Sequence, residues 1–512
     1  MRKGASAASP PRDAGGGAGL ATGLARGTSL NLFGSLCSKG VTFVIALVLI
    51  AMLGKVGMGR YAQAFAVLTI LELVALLPFG SGLVRMVAVH KDEAEAVRGT
   101  IRAGVAMTVL TSAILAGALF LGAPWLAHRG LQDGGLVEPL RLVALTLVPL
   151  SVADALLHAT MGFQRMRANA VVKLVAEPVV RLVAITVLVA AGLGIAGAVI
   201  GLLVSCSVQA VLAWVALRRL AGRWYAGPAR HELGPLCAFS LPTGLGGFMS
   251  MGLAWADSLI IGAFRSSGDV GVYQIATRIV MLATFVIPAV SMAFSPRIAM
   301  LTHRGDHESL YKAYMGVTTW TLRLSMPAFV VLALFANDLL RVFGPEFAAA
   351  SGVTLVLLVG AICNAWTGPG MQMLTMSGHP VWGAVNNGLG LTLNIALNLV
   401  LIPRFGIVGA AWAWTAALIA MNLTRLVQVR HLLGMWPFHS SQRAVLLIAL
   451  LSGAVAALVT QWVAWPGRLV LGPLVVVATY VPLTVFRLEG KDWALLREAA
   501  RFRRPPADRH YT

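Results

Sequence analysis

The sequence is poor in charged residues, and in acids above all. Only 12% of its 512 residues are charged, while 58% are hydrophobic and the mean hydropathy is +0.80. This composition excludes an ordinary soluble protein and indicates a helical protein that crosses a membrane many times. The 54 glycines agree with that class, because small residues allow transmembrane helices to approach each other closely.

Cysteine is scarce as well, and histidine is not clustered with it. The four cysteines lie in or beside apolar stretches without CxxC spacing, so we expect small core residues and neither disulfides nor a metal site. No cofactor is expected. The first 28 residues lack the apolar core of a signal peptide and are predicted to form a flexible cytoplasmic tail.

Positive charge exceeds negative charge, with a formal net charge of +20. A strongly basic chain can indicate nucleic-acid binding. Here, however, the basic residues are concentrated in the gaps between apolar runs, where they set the orientation of membrane helices. We therefore expect a bilayer around the protein and no nucleic-acid partner.

Long apolar runs make up most of the sequence. A helix needs about 20 apolar residues to cross the hydrocarbon core, and fourteen stretches are predicted to do so. They are 29–53, 59–84, 100–122, 140–162, 171–192, 196–217, 234–263, 271–296, 314–336, 351–376, 382–402, 408–429, 444–465 and 469–486. The distribution of Lys and Arg places both termini in the cytoplasm.

Two short motifs recur at the same offset of 212 residues. The pattern GxYxxA at 59–64 returns at 271–276, and GIAGA at 194–198 returns as GIVGA at 406–410. Each match is weak in a chain rich in Gly and Ala, but two matches at one offset indicate two structural halves.

The predicted fold is therefore an all-α polytopic membrane protein with a duplicated core. Residues 29–222 and 234–432 are expected to form two pseudo-symmetric six-helix lobes, and 444–486 helices 13 and 14. Residues 487–512 form a basic cytoplasmic tail with an amphipathic middle, which we expect on the inner leaflet.

Charged residues inside predicted spans are the candidate functional residues. A charge at mid-bilayer costs about 2.5–3.5 kcal/mol on insertion scales, so it marks an interior cavity by default. Arginine suits phosphate groups, and a buried acid can bind H⁺ or Na⁺. The cations are Lys39, Arg85, Arg181, Arg278 and Arg323, and the acids are Glu72, Asp154, Glu177 and Asp257.

Several of these residues also have a structural interpretation. Glu177 with Arg181, and Asp154 with His158, are spaced to neutralise each other on one helix face. Two others lie near span ends and can reach the interface: Arg85 and Arg278. Four lack an i,i+4 partner, which favours a functional cavity for them: Lys39, Glu72, Asp257 and Arg323.

Five tryptophans lie deep within predicted spans. Their rings can pack against neighbouring helices, or they can offer a stacking surface to sugar rings. They are Trp255, Trp320, Trp366, Trp412 and Trp414.

Two stretches resemble a known family. LGKVGMGRYAQAFAVLTILELVALLPFGSGLVRMVAVHKDE (53–93) resembles the second-helix region of bacterial lipid-linked oligosaccharide flippases, the Wzx-type polysaccharide exporters. WADSLIIGAFRSSGDVGVYQIATRI (255–279) resembles their seventh and eighth helices. These exporters belong to the multidrug/oligosaccharidyl-lipid/polysaccharide (MOP) superfamily.

The resemblance implies two six-helix bundles around a cationic cavity that opens alternately to either side. Helices 13 and 14 are then expected to line a groove for a polyprenyl tail. The cations Lys39, Arg85, Arg278 and Arg323 would contact pyrophosphate or acidic sugars, with Arg181 beside them. The acids Asp257 and Glu72 would couple transport to an ion, whereas Asp154 and Glu177 depart from the family pattern.

The expected function is to flip undecaprenyl-pyrophosphate-linked glycan to the outer leaflet of a bacterial inner membrane, for lipopolysaccharide or exopolysaccharide synthesis. H⁺ or Na⁺ and polysaccharide polymerase or assembly proteins are the further partners considered. A cation-coupled efflux antiporter for small molecules is the alternative within transport. A membrane-embedded glycan polymerase or ligase would need a large outer loop, and the outer loops are short, so we expect no enzyme.

Overall fold

A computed structural model describes residues 16–90, 92–222, 227–229 and 233–487. Within these ranges the regular structure is entirely helical, as predicted. The helices are α1 Gly16–Leu76, α2 Gly80–Val89, α3 Ala94–Trp125, α4 Val137–Gly162, α5 Met166–Val171, α6 Glu177–Leu188, α7 Gly194–Ala221, α8 Leu233–Phe264, α9 Ser267–Ala283, α10 Val286–His303, α11 His307–Arg341, α12 Ser351–Thr367, α13 Gly370–Met376, α14 Val381–Leu433, α15 Ser440–Thr460 and α16 Gly467–Phe486.

Eleven helical segments in the described part are long and apolar enough to cross a membrane. Three of them, Gly34–Val89, Met166–Ala221 and Val381–Leu433, have 56, 56 and 53 residues. Each is more than twice the length that a single crossing needs, which is about 20 residues. Their internal breaks are therefore what separates one crossing from the next.

Glycines in the left-handed region make these breaks. Gly54 has φ 67°, and Gly192 has φ 89°. Gly194 and Gly406, the first residues of the repeated GIAGA and GIVGA motifs, have φ/ψ of 56°/−136° and 60°/−139°. A side chain would be strained at such angles, so only glycine reverses the backbone here without cost. The two motifs thus share a backbone conformation as well as letters.

Other helix ends lie beside prolines. The span predicted at 59–84 is not continuous, because α1 ends at Leu76 and α2 begins at Gly80, on either side of Pro78. The span at 351–376 is likewise divided at Pro369. Proline lacks an N–H group and clashes with the preceding turn, so a helix cannot pass through it undisturbed.

The two copies of GxYxxA pack against each other where α1 meets α9. A Cβ atom on Gly59 would lie 1.6 Å from the carbonyl oxygen of Ser267, and one on Gly271 would lie 2.1 Å from that of Lys55. Only glycine permits so close a backbone contact. The repeated motif is therefore one of the points at which the first half of the chain touches the second.

The last two helices are attached to the second half through α11. The Tyr480 hydroxyl of α16 donates a hydrogen bond to the carbonyl oxygen of Arg323 (3.0 Å), and Gly472 lies against the Phe335 ring. Near the C-terminal end of α11, the Trp465 indole, which lies between α15 and α16, donates to the carbonyl oxygen of Asp338 (3.3 Å).

The chain ends differ from expectation or lie outside the described residues. Helix α1 begins at Gly16, so the described part of the stretch predicted as a flexible tail, 16–28, is helical. The predicted amphipathic segment beyond Arg487 lies outside the described residues, as do residues 1–15.

Candidate functional site

Two cavities adjoin each other, one within the second half of the chain and one between the two halves. The larger cavity, about 460 Å³, is lined by α8, α9, α12 and α14, and the smaller cavity, about 140 Å³, by α1, α6, α8 and α9. Trp255 and Arg278 line both of them. Since Trp255 also packs against Phe65 of α1, with ring centroids 5.3 Å apart, the cavities adjoin where the two halves touch.

Two arginines face the smaller cavity. Arg181 of α6 is 8% exposed, its Nε lies 3.4 Å from Oε1 of Glu177, and its guanidinium lies 5.6 Å from the centroid of the Phe65 ring. Arg278 of α9 lines the same cavity and makes no ion pair or side-chain hydrogen bond with any described residue. The wall between the halves therefore carries a positive charge that no neighbouring acid balances.

Asp257 of α8 lies at the edge of the larger cavity and is held by three donors. Its Oδ2 accepts a hydrogen bond from the Tyr273 hydroxyl (2.6 Å), and its Oδ1 accepts from the side-chain amides of Asn394 (3.0 Å) and Asn398 (2.7 Å). Both asparagines are fully buried, one turn apart on α14. The sequence analysis missed them, although two amides at i,i+4 inside an apolar span are a readable signal.

A second group of charges fills the interior of the first half, which we call the first-half charge cluster: Glu72, Asp154, Lys173, Glu177 and Arg181. Asp154 is 3% exposed, forms a salt bridge with Lys173, and accepts a hydrogen bond from the Gln209 amide (3.1 Å). Glu72 of α1 is close enough to Asp154 for the two carboxyl groups to interact.

The structure shows which of the two i,i+4 spacings suggested by the sequence correspond to real contacts. Glu177 and Arg181 do contact each other, and Ser205 also donates to Glu177 (3.2 Å). The Nδ1 atom of His158 lies 2.7 Å from the Asp154 carbonyl oxygen, so the hydrogen-bond partner of His158 is the backbone of Asp154 and not its carboxylate.

Lys173 was missed by the sequence analysis because it lies near the start of a predicted span. Its signal was nevertheless present, since Lys173, Glu177 and Arg181 follow one another at intervals of four residues. Such residues share one helix face, so three alternating charges form a row along it.

Lys39 and Arg85 do not line either cavity. Lys39 is exposed on α1, with Nζ 5.4 Å from the centroid of the Phe285 ring. Arg85 is exposed on α2, with its guanidinium 4.2 Å from the centroid of the Phe239 ring. Both cations thus contact aromatic rings of the second half.

Arg323 lies in a different place from the other predicted cations. It is 6% exposed on α11 and lines a separate cavity of about 200 Å³ with residues of α15 and α16, among them Ser440 and Thr484. Its guanidinium lies 5.4 Å from the centroid of the Trp320 ring. The structure therefore brings together Arg181 and Arg278 but not Arg323.

The deep tryptophans divide between packing and cavity positions. Trp255 and Trp414 line the larger cavity, whereas Trp366 donates a hydrogen bond to Gln442 (2.9 Å) and packs on Phe438. Trp412 is 51% exposed on the outer surface of the helix bundle.

A polar contact joins the halves next to the paired glycines. Arg60 donates two hydrogen bonds of 2.8 Å to Asp133, Ser267 donates to the same carboxylate (2.6 Å), and Gln63 donates to Ser267 (3.0 Å). Burial alone would raise the pKa of Asp133, but hydrogen bonds from Arg60, Ser267 and the Gly135 amide lower it overall. Asp133 is therefore ionised at neutral pH, and this contact weakens only when acid protonates it.

Helical halves that meet at a repeated motif around buried charges define a multi-pass membrane protein of duplicated architecture. The family model described as "Polysaccharide biosynthesis protein" matches residues 24–302, more than half of the chain, and the model "MatE" matches 242–400. The chain belongs to the polysaccharide biosynthesis protein family, which agrees with the resemblance to polysaccharide exporters found in the sequence.

Curated relatives match a part of the chain. The "Probable low-salt glycan biosynthesis flippase Agl15" of Haloferax volcanii is 30% identical over 188 residues, 36% of this chain and 38% of that protein. The "Probable flippase AglR" of the same organism is 28% identical over 211 residues, 41% of this chain and 44% of that protein. The chain thus spans about four tenths of the length of these relatives.

Solved structures confirm the fold over nearly the whole chain. "Lipid II flippase MurJ, inward closed conformation" matches with a TM-score of 0.65 at 13% identity, covering 92% of this chain and 98% of that one. A "multidrug resistance MATE family transporter of the MOP superfamily" in an inward-facing conformation matches with a TM-score of 0.64 at 14% identity, covering 77% and 94%.

Proposed function

We propose that the protein flips a polyprenyl-pyrophosphate-linked oligosaccharide from the inner to the outer leaflet by alternating access, for cell-surface polysaccharide synthesis. The observation that carries the proposal is the pair Arg181 and Arg278, which face one cavity between the halves. Two guanidinium groups at one buried site repel each other unless an anion lies between them. Pyrophosphate fits, because each guanidinium can donate two parallel hydrogen bonds to it.

An apolar groove beside this site supports a lipid-linked anion. The groove, about 460 Å³, is lined by residues of α1, α9, α11 and α16, including Phe43, Ile279 and Val477. Ile279 follows Arg278 directly on α9, so the groove begins next to the cationic wall. A headgroup at the arginines would leave its polyprenyl tail in the groove, where each buried CH₂ contributes about 0.8 kcal/mol.

Fourteen crossings in the inner membrane of a bacterium, with both termini in the cytoplasm, complete the proposal. Each of the three longest apolar segments is divided by a left-handed glycine, and each division is assigned to a turn between two crossings. Eleven segments thereby become fourteen crossings, arranged as two six-helix lobes followed by α15 and α16. Lys39, Arg85 and Arg323 are assigned to contacts that the headgroup makes before or after it reaches Arg181 and Arg278.

Buried acids are assigned to ion coupling. Asp257 contacts hydroxyl and amide groups but no cation among the described residues, so it can take up H⁺ or Na⁺. The acids of the first-half charge cluster, Glu72, Asp154 and Glu177, are assigned to the same task. Polysaccharide polymerase or assembly proteins are the expected partners, since a flipped glycan must be joined to others.

One further function has specific support. The MatE family model and the fold shared with a multidrug transporter favour cation-coupled efflux of small molecules as a second candidate. It differs in the charge of its cargo, because Arg278, which no acid among the described residues balances, would repel the cationic compounds that an acidic cavity accepts.

Reconstitution tests the proposal. The purified protein is placed in liposomes with a fluorescent polyprenyl-pyrophosphate oligosaccharide, and a glycosidase added outside reports how much glycan becomes accessible over time. We expect accessibility to rise well beyond that of protein-free liposomes, with the glycan's length unchanged. Elongated glycan would indicate an enzyme, and export of a cationic dye without glycan transfer would indicate the efflux pump.

A further inference from the structure

A third cavity lies between α11, α15 and α16, and we call it the three-helix cavity. It measures about 200 Å³ and shares no lining residue with the larger or the smaller cavity. None of its described lining residues is acidic, and the polar ones are Arg323, Arg487, Ser440, Ser441 and Thr484. A cargo held between the two halves of the chain would therefore leave this cationic space unfilled.

The three-helix cavity leads from the protein surface to a buried cation. Arg323 is 6% exposed, whereas Ser440 and Arg487 are exposed. Trp320 lies one turn earlier on α11, and the centroid of its ring is 5.4 Å from the Arg323 guanidinium, so the ring helps to hold that cation in place. An anion that enters past Arg487 therefore meets a second positive charge at Arg323.

The chemistry of the lining favours a phosphate group. A guanidinium can donate two parallel hydrogen bonds to phosphate, and hydroxyl groups can donate to the oxygens that remain. Two arginines would repel a metal cation from the same space. An anion with several oxygens, carried by a larger molecule or free in solution, is therefore the ligand that fits these donors.

The position of the three-helix cavity along the membrane helices favours a lipid as the source of that phosphate. Ser440 begins α15 and Arg487 follows the last residue of α16, so the cavity opens where two membrane helices end. Phospholipid headgroups lie at this depth, and basic pockets between membrane helices bind anionic headgroups.

An apolar surface adjoins the opening on α15. Leu447 is 66% exposed and Leu451 is 54% exposed, and each follows a lining residue of the cavity, Ala444 or Ile448, by three positions. Residues three apart lie on the same side of a helix, so the leucines continue the wall of the cavity toward the bilayer. A headgroup in the cavity would place its acyl chains along them, which a soluble phosphate cannot do.

We propose that the three-helix cavity binds the phosphate group of an anionic phospholipid, with Arg323 and Arg487 as its two cationic partners. The hydroxyl groups of Ser440, Ser441 and Thr484 donate to the other phosphate oxygens. This binding does not depend on the proposed cargo. That the lipid belongs to the inner leaflet rests on the proposed position of both termini in the cytoplasm.

A lipid bound there would tie the last two helices to the second half of the chain. Arg323 belongs to α11, Ser440 and Ser441 begin α15, and Arg487 follows α16. The Tyr480 hydroxyl already links α16 to the Arg323 carbonyl oxygen (3.0 Å). One phosphate would add a contact among all three helices, so the lipid should also raise the temperature of unfolding.

Native mass spectrometry of the delipidated, full-length protein tests the proposal. Titration with phosphatidylglycerol should show one tightly bound lipid that excess phosphatidylcholine does not replace. Arg323→Gln should weaken its binding at least about tenfold, because charge-assisted hydrogen bonds are lost. Arg443→Gln is the matched control, since Arg443 is an exposed arginine in the first turn of α15 that does not line the cavity, and it should bind the lipid like the parent.

A second variant keeps the test decisive if Arg323→Gln does not fold. Ala444→Leu retains both arginines and fills part of the cavity, so it should also reduce the bound phosphatidylglycerol. Thermal unfolding of the same samples should show stabilisation by phosphatidylglycerol in the wild type and in Arg443→Gln, but not in the two cavity variants. Equal binding in all four proteins would overturn the site.

Two competitors identify the source of the phosphate. Excess glycerol 3-phosphate should leave the lipid bound, and displacement by it would show a site for soluble phosphates instead. Polyprenyl pyrophosphate should also leave it bound, and displacement would show that the cavity serves the cargo; either displacement would overturn the assignment to a bilayer lipid. Failure of glycan transfer in liposomes is measured separately and would count against the proposed function alone.

Discussion

At the scale of single residues, the site is explained by which charges lack a partner. Arg181 has Glu177, whereas Arg278 lines both cavities without an ion pair among the described residues. Burying a cation in a membrane protein is costly, and the cost is recovered only when an anion arrives. A substitution of Arg278 should therefore weaken cargo binding without lowering the stability of the protein.

Replacing Arg278 by Gln should weaken binding of a polyprenyl-pyrophosphate analogue at least about tenfold, because hydrogen bonds to charged groups contribute about 1.5–3 kcal/mol. Thermal stability should be unchanged or higher, since a buried unpaired charge has been removed. Fluorescence titration and thermal unfolding in detergent measure the two effects. Arg141→Gln, at an arginine that lines neither cavity, is the control, and equal losses in both variants would contradict the assignment.

At the scale of helices, glycine decides where elements touch and where they turn. Gly59 and Gly271 permit the contact of α1 with α9, and Gly194 and Gly406 permit the reversals inside the longest apolar segments. Asp133 reinforces this contact of α1 with α9, because its carboxylate pairs with Arg60 and accepts a hydrogen bond from Ser267. At the Gly59 end of the cavity, these positions hold the two halves together, and they do so through backbone geometry.

Gly59→Ala should open that end, because its methyl group has no room beside the Ser267 carbonyl oxygen. Spin labels at Glu138→Cys and Glu346→Cys, both exposed, report the separation of the halves by pulsed electron resonance. We expect longer distances in Gly59→Ala than in the parent. Gly40→Ala lies on the same helix with no neighbouring atom within 4 Å and should change nothing; identical distances in all three proteins would refute the idea.

Gly406→Ala should destabilise the fold by about 1–2 kcal/mol, the usual cost of a left-handed conformation for a residue with Cβ. Gly194→Ala should cost about the same, since the two glycines have nearly the same dihedral angles. The midpoint of thermal unfolding measures both. Gly352→Ala, in the first turn of α12 with open space around it, should not lower the midpoint.

At the scale of the whole molecule, the order of crossings fixes which loops share a side. Helix α11 runs from His307 to Arg341 with a kink at Phe335, and its 35 residues cover about 50 Å at about 1.5 Å per residue, so we expect Glu308 and Glu346 on opposite sides of the membrane. The proposed fourteen crossings place Glu138 on the outer side together with Glu346.

Thiol labelling in whole cells tests this topology. In a variant without the four native cysteines, an impermeant maleimide should label Glu138→Cys and Glu346→Cys in intact cells, but Glu308→Cys only after lysis. Labelling of Glu138→Cys and Glu346→Cys from different sides would show that a crossing between them is missing or extra.

Much of the architecture was readable along the chain. Apolar runs of about 20 residues predict membrane helices because the bilayer demands that length, and the motifs at a 212-residue offset indicated two halves. That the same motifs supply a contact between the halves and the turns inside the long segments is seen only in the structure. Arg278, Asp257 and the acids of the first-half charge cluster were named from the same logic, since a charge inside an apolar run is conspicuous.

Partners across helices were not readable. Nothing along the chain shows that Glu72 meets Asp154, that Lys173 neutralises Asp154, or that Arg323 faces a cavity apart from the other cations. A soluble helix reveals its buried face by an apolar stripe, but a membrane helix is apolar on all sides, so its sequence does not say which way a charge points. Composition determined the class, an all-helical membrane protein, and the spacing of apolar runs and motifs predicted its spans and its duplication; only the packing of the helices decided which charges meet.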